Sequence, residues 1–223
     1  MNRIAAIIKR NRLYFMGFVV YAITGLVLNL AYTQLQLFFF VNSRNKPYFD
    51  ATMPYITFIG DGIIFITIIL LLFFIKIRYG LIATGAWLLS SGIVLVCKQI
   101  IFTDKPRPWK RWGEELDVYL VEGFQPYINN SFPSGHTSSA FCMFTILALI
   151  SARKSLGLLF LILALLVAYS RIYLAQHYFI DTYVGAWVGV LSALIIYYYF
   201  YSPKWKFNQQ QSRLDQPLLK YKK

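Results

Sequence analysis

Apolar runs, most of them about 20 residues long and nearly free of charge, dominate this chain and restrict what it can fold into. They lie at 14–33, 55–75, 81–102, 137–150, 156–174 and 179–200. An α-helix rises ~1.5 Å per residue, so about 20 apolar residues cross the ~30 Å hydrocarbon core of a bilayer. A helix satisfies its backbone within one segment, which hydrocarbon demands. The run at 137–150 is short, but Ser138, Ser139 and Ser151 extend it without charge. The expected fold is all-α, a six-span transmembrane helical bundle.

Charged residues make up only 14% of the 223, against about a quarter in soluble domains. With both termini cytoplasmic, the inner segments hold fourteen of the 22 basic residues and a single acid, Asp215. The net charge of +13 then falls on one side, and the outer side is neutral, as the positive-inside rule requires. That distribution assigns the basic excess to topology and anionic lipid. Nucleic acid is not expected as a partner, because the cations sit between spans and not on one soluble face. The first apolar run is too long for a signal peptide, and its removal would leave five spans. Cys97 and Cys142 lie inside spans and read as small apolar residues. One domain is expected over 1–205, followed by a polar, basic, loosely ordered cytoplasmic tail over 206–223.

Three motifs gather at the outer ends of these spans. The first, "KQIIFTDKPRPW", brings Lys98, Lys105 and Arg107 together, with Pro106 and Pro108 stiffening the segment. Clustered cations suit a phosphate, and they also suit residues snorkelling to the membrane surface. The second, "SFPSGHTSSAF", places Ser134, Gly135 and His136 at the start of a span. Free N–H groups and the helix dipole bind phosphate there, and Gly135 lets the backbone approach closely. Ser134 or Thr137 can equally cap the helix. The third, "SRIYLAQHYFID", holds Ser170, Arg171, His177 and Asp181. A spacing of four puts His177 and Asp181 on one helical face, where the carboxylate fixes the imidazole tautomer. The other ring nitrogen is then free to attack phosphorus while Arg171 holds phosphoryl oxygens.

Together the three stretches resemble the signature of the type 2 phosphatidic acid phosphatase superfamily, which includes membrane lipid phosphatases and is similar in its core to vanadium haloperoxidases. Pro133, Ser134, Gly135 and His136 match the second motif, and Ser170, Arg171, His177 and Asp181 match the third, without substitution. In the first motif the family places six residues between the lysine and Arg-Pro. Here Lys105-Pro106 stands at that distance from Lys98, while Arg107-Pro108 lies two residues further. The longer turn ending at Arg107 is favoured, because arginine suits bidentate contact.

The resemblance implies a lipid phosphatase of the inner membrane with its site facing the periplasm. His177 would form a phosphohistidine, Asp181 would orient it, and His136 would protonate the leaving oxygen and then activate water. Lys98, Lys105 or Arg107, Ser134, Gly135 and Arg171 would hold the phosphate. No metal or other cofactor is implied, since both histidines already have roles. A phospholipid, an isoprenyl diphosphate or lipid A would serve as substrate, in contact with membrane lipids. A phosphotransferase and a lipid transporter are the alternatives.

Two features stand apart from the motifs. The loop acids Glu114, Glu115, Asp117 and Glu122, beside Trp109 and Trp112, read either as a headgroup selector or as a solvated interfacial loop. Asp61, an acid inside the second apolar run, is a functional candidate or a polar contact within the bundle.

Overall fold

The computed structural model of the chain describes residues 3–113, 115–201 and 214–219. Among these the structure is helical throughout, with α1 (Arg3–Arg10), α2 (Arg12–Ala31), α3 (Gln34–Asn42), α4 (Pro47–Phe58), α5 (Gly62–Ile75), α6 (Ile77–Val96), α7 (Pro108–Trp112), α8 (Gly135–Ile150), α9 (Leu156–Tyr173) and α10 (Phe179–Phe200). One turn of π-helix, Cys97–Ile101, extends α6.

Among the described residues four helices are long and apolar enough to cross a membrane: Arg12–Ala31, Ile77–Ile101, Leu156–Tyr173 and Phe179–Phe200. The second apolar run does not form the continuous helix expected of it. It breaks between α4 and α5, which meet at 52° and make a fifth crossing only if the pair counts as one span. Asp61 causes the restart, because its Oδ1 accepts from Ile63 N at 2.8 Å and caps α5. The 16 residues of α8 are apolar but shorter than a full span. At ~1.5 Å per residue they reach only about 24 Å.

That short helix is the centre of the bundle, packed among α6, α9 and α10, with most of its residues buried. Small residues on α10 permit the closest of these approaches. A Cβ on Gly185 would stand 2.7 Å from the Ser134 carbonyl oxygen, so the start of α8 lies directly on α10. On the outside, Val19, Val20, Ile23, Leu26, Val27 and Leu30 of α2 are exposed, as suits a lipid-facing surface.

The segment over 41–54 is largely helical, holding the end of α3 and two thirds of α4. Its anchor is Asn42, fully buried, whose Nδ2 donates to the carbonyls of Tyr119 (2.9 Å) and Tyr173 (3.0 Å) while its Oδ1 accepts from Tyr119 N (3.0 Å). Asp50 then accepts from the hydroxyls of Tyr119 (2.7 Å) and Tyr173 (2.5 Å). The loop after α7 is thereby tied to α9, with Val118 and Val121 buried beneath it. Of the loop acids, Glu115 pairs with Arg111 at 3.7 Å, Asp117 and Glu122 are exposed, and Glu114 lies outside the described residues.

At the other end, part of the basic tail docks against the bundle. Asp215 Oδ1 accepts from the buried Arg78 Nε at 3.1 Å, and Ile77 N donates to the Gln216 carbonyl at 3.0 Å. The rest of the expected tail, 206–213 and 220–223, lies outside the described residues.

Candidate active site

The polar centre assembles where α9 ends, α10 begins and α8 starts. Ala175 adopts a left-handed conformation (φ 53°) that closes α9, so Gln176 N and His177 N both donate to the Arg171 carbonyl, at 3.0 and 3.2 Å. This turn presents His177 to the first turn of α10, where Asp181 sits. Asp181 Oδ2 accepts from His177 Nδ1 (3.3 Å), Tyr178 N (3.0 Å) and Ser131 Oγ (2.5 Å). An acid in a first helical turn is also favoured by the helix dipole.

The opposite ring nitrogen, His177 Nε2, stands 3.2 Å from Arg107 Nη1. A guanidinium can only donate, so Nε2 is the acceptor and the proton of the neutral ring is on Nδ1, facing Asp181. The tautomer is therefore set from both sides. Burial, and then the charges of Arg107, Arg171 and Lys98, hold the imidazole well below the ordinary histidine range. His177 is thus neutral, with its lone pair directed at a cation.

Arg107 is held rigidly. Its Nε donates to the Asn129 carbonyl (2.8 Å), and Nη1 donates to the Gln176 carbonyl (2.9 Å) and to Gln176 Oε1 (3.2 Å). Burial lowers its pKa to about 10, against the opposing pull of Asp181, and it stays charged at neutral pH. Arg171 donates from Nη1 to Thr57 Oγ1 (2.6 Å) and from Nη2 to Gln176 Oε1 (3.4 Å), while its buried Nε has no partner among the described residues. Gln176 thus joins both guanidiniums from between Arg171 and His177 in sequence.

Ser134 caps α8, its Oγ accepting from Thr137 N (3.4 Å) and Thr137 Oγ1 (2.9 Å). Its backbone N–H was expected to face a phosphate. That donor is already used, bonding the Asp181 carbonyl at 3.0 Å, which leaves Gly135 and His136 at the helix start. Lys98, in the π turn, lines a cavity of about 250 Å³ with Gly60, Trp87, Gly135 and His136. On the far side of Asp181 a second cavity of about 470 Å³ is lined by Lys105, Arg111, Trp112, Ser131 and Tyr178.

Eight of the nine residues singled out from sequence therefore converge: Lys98, Arg107, Ser134, Gly135, His136, Arg171, His177 and Asp181. Lys105 does not join them. Its side chain is exposed, and its carbonyl accepts from Ser131 N at 3.0 Å, leaving Arg107 as the cation against His177. Gln176, Ser131 and Thr57 escaped the sequence reading. Gln176 and Ser131 lay inside the quoted stretches with no role read for them, and Thr57 had no signal. No group of three or more metal-ligating side chains occurs among the described residues.

This fold and site define an apolar helical bundle with a histidine, aspartate and arginine centre at one end. Residues 79–205 match the PAP2 superfamily, and the chain belongs to it. It is similar to the bacitracin transport permease protein BcrC of Bacillus licheniformis, with 41% identity over 87 residues. Those residues are 39% of this chain and 41% of that relative, so the match spans about two fifths of the relative's length. Among solved structures, Aquifex aeolicus LpxE aligns with a TM-score of 0.64 and 27% identity, covering 73% of this chain and 93% of that one. A transmembrane PAP2-type phosphatidylglycerolphosphate phosphatase from Bacillus subtilis shares the fold, with a TM-score of 0.55 and 21% identity over 85% of this chain and 95% of its own.

Proposed function

We propose that this chain is an integral membrane lipid phosphatase that hydrolyses a lipid phosphate monoester or diphosphate through a phosphohistidine on His177. The observation that carries this reading is the neutral His177 ring, held at Nδ1 by Asp181 and aimed at Arg107 through Nε2. The Nε2 lone pair attacks phosphorus as the bond to the lipid oxygen breaks, and His136 gives that oxygen a proton. His136 then takes a proton from water, whose oxygen attacks the phosphohistidine, releasing phosphate and His177.

Charge spread over the transferring phosphoryl oxygens meets Arg107, Arg171, Lys98 and the N–H groups opening α8. Phosphoryl transfer is accelerated mainly by donors held in place in this way. With guanidiniums in that role, the reading calls for no metal. Substrates that fit are a phospholipid, an isoprenyl diphosphate or lipid A, each presenting phosphate at the membrane surface with its chains in hydrocarbon. The sidedness of Lys and Arg favours an inner membrane protein with cytoplasmic termini and a periplasmic site. Residues 1–205 would form the catalytic unit, with a basic tail beyond it.

The name of the Bacillus licheniformis relative suggests a second reading, transport without chemistry, which predicts binding but no turnover. Phosphate release decides between them. The purified protein in detergent with EDTA is expected to release phosphate from phosphatidylglycerol phosphate, undecaprenyl diphosphate or phosphorylated lipid A, and His177→Ala is expected to release none. Release from none of the three by the unsubstituted protein overturns the proposal. A phosphorylated acceptor in place of free phosphate indicates a transferase.

A further inference from the structure

The acid inside the second apolar run has a place in this site. The break between α4 and α5 folds its turn onto the start of α8: a Cβ on Gly60 would lie 2.7 Å from the His136 carbonyl oxygen. The next residue, Asp61, divides its carboxylate between two tasks. Oδ1 accepts from Ile63 N at 2.8 Å, while Oδ2 faces His136 Nε2 at 3.6 Å. The two side chains are 29% and 30% exposed, and His136 lines a cavity together with Lys98 and Gly135. Nδ1, the other ring nitrogen, makes no hydrogen bond among the described residues.

We propose that Asp61 is the positioning residue for His136, holding Nε2–H so that Nδ1 is the nitrogen that exchanges protons with the leaving oxygen and then with water. This rests on the phosphatase reading and adds a residue to it. When the lipid P–O bond breaks, the oxygen takes the Nδ1 proton of the imidazolium, and Nε2–H stays on Asp61. When water attacks the phosphohistidine, Nδ1 takes the water proton back. Three cations act on this ring from other elements: Lys98 at the end of α6, Arg107 in the loop before α7, and Arg171 in α9. The Asp61 carboxylate is the ion-pair partner that faces this ring.

The test separates proton delivery from architecture. Asp61→Asn keeps an oxygen to cap α5 and removes the charge. Dodecyl phosphate needs a proton on its departing alkoxide, whereas 4-nitrophenyl phosphate releases a stable phenolate without one. Because kcat/KM covers the steps up to departure of that first group, it is the quantity to compare. Asp61→Asn is expected to lower it for dodecyl phosphate by about 10- to 100-fold, less than the ~10²- to 10⁴-fold contributed by a general acid itself, and for the nitrophenyl ester by less than about 3-fold. His136→Asn should show the same selectivity, and adding Asp61→Asn to it should cost nothing further. Asp61→Glu, which restores the charge, should recover part of the dodecyl phosphate activity. An equal loss on both esters, or no loss on either, refutes the role of Asp61 and leaves the phosphatase reading intact. If the unsubstituted protein hydrolyses neither ester nor any lipid phosphate, both readings fall together.

Discussion

His177 and Asp181 lie 3.3 Å apart with side chains 1% and 4% exposed, whereas His136 and Asp61 lie 3.6 Å apart at 30% and 29%. The first pair is local, four residues apart where α10 begins, and Asp181 is fixed by two further donors, Ser131 and Tyr178. The second joins positions 75 residues apart through the break between α4 and α5. On the proposed mechanism, identical side chains meet two different demands. A nucleophile gains from one fixed tautomer and exclusion of water, while an acid and base must exchange protons with a leaving group and with water. Burial suits the former, and partial exposure suits the latter.

The largest expected effect falls on the buried pair. Asp181→Asn retains the shape but loses control of the His177 tautomer, and kcat is expected to fall about 10³- to 10⁴-fold, measured as phosphate release from the accepted lipid. A loss no greater than that of Asp61→Asn would erase the contrast between the pairs. Next comes Arg107→Lys, expected to cost about 10²- to 10³-fold in kcat. A lysine cannot reach the Asn129 and Gln176 carbonyls while still facing His177 Nε2, so the charge alone should not rescue turnover.

Stability against pH sharpens the comparison in a second way. The unfolded chain takes up a proton at His177 near the ordinary pKa of ~6.5, and the folded chain does not until the pH is well below it. Stability is thus fully present above about pH 6.5 and falls as pH drops below it, by about 1.4 kcal/mol per pH unit for this one group. Thermal melts between pH 7.5 and 5 should show Tm falling toward acid, and the fall should be smaller in His177→Asn. The smallest effect is expected at Ala175, whose φ of 53° glycine adopts freely. Ala175→Gly should stabilise the protein by about 0.5 kcal/mol, the relief of left-handed strain exceeding the added chain entropy, and leave kcat within about 3-fold. A clear loss of turnover there would mean that the turn presenting His177 needs a Cβ.

Much of the site was legible because its key spacings are short. Only three residues separate His177 from Asp181, and Ser134, Gly135 and His136 are adjacent, so a helix that starts beside each group brings its members together locally. The apolar runs near 14–33, 81–102, 156–174 and 179–200 were equally plain, since hydrocarbon leaves an apolar segment of that length few other structures. Sequence favoured Arg107 over Lys105 only on the chemistry of its side chain, because a loop carries no periodicity to fix which side chain turns inward. The bond from Ser131 N to the Lys105 carbonyl and the approach of Arg107 to Gln176 decide it in space.

What the sequence determined by itself is an apolar helical protein with a histidine-centred, cation-rich site, because hydropathy and i,i+4 spacing are local properties. What only the tertiary structure decided is which groups meet across long separations: Asp61 with His136, Thr57 with Arg171, Ser131 with Asp181, and Gln176 between two arginines. It also decided that the second apolar run is broken and that the short α8 lies at the centre. Those outcomes depend on close packing, where a glycine at 60 or 185 lets one backbone rest on another, and no local pattern encodes the partner it will rest on.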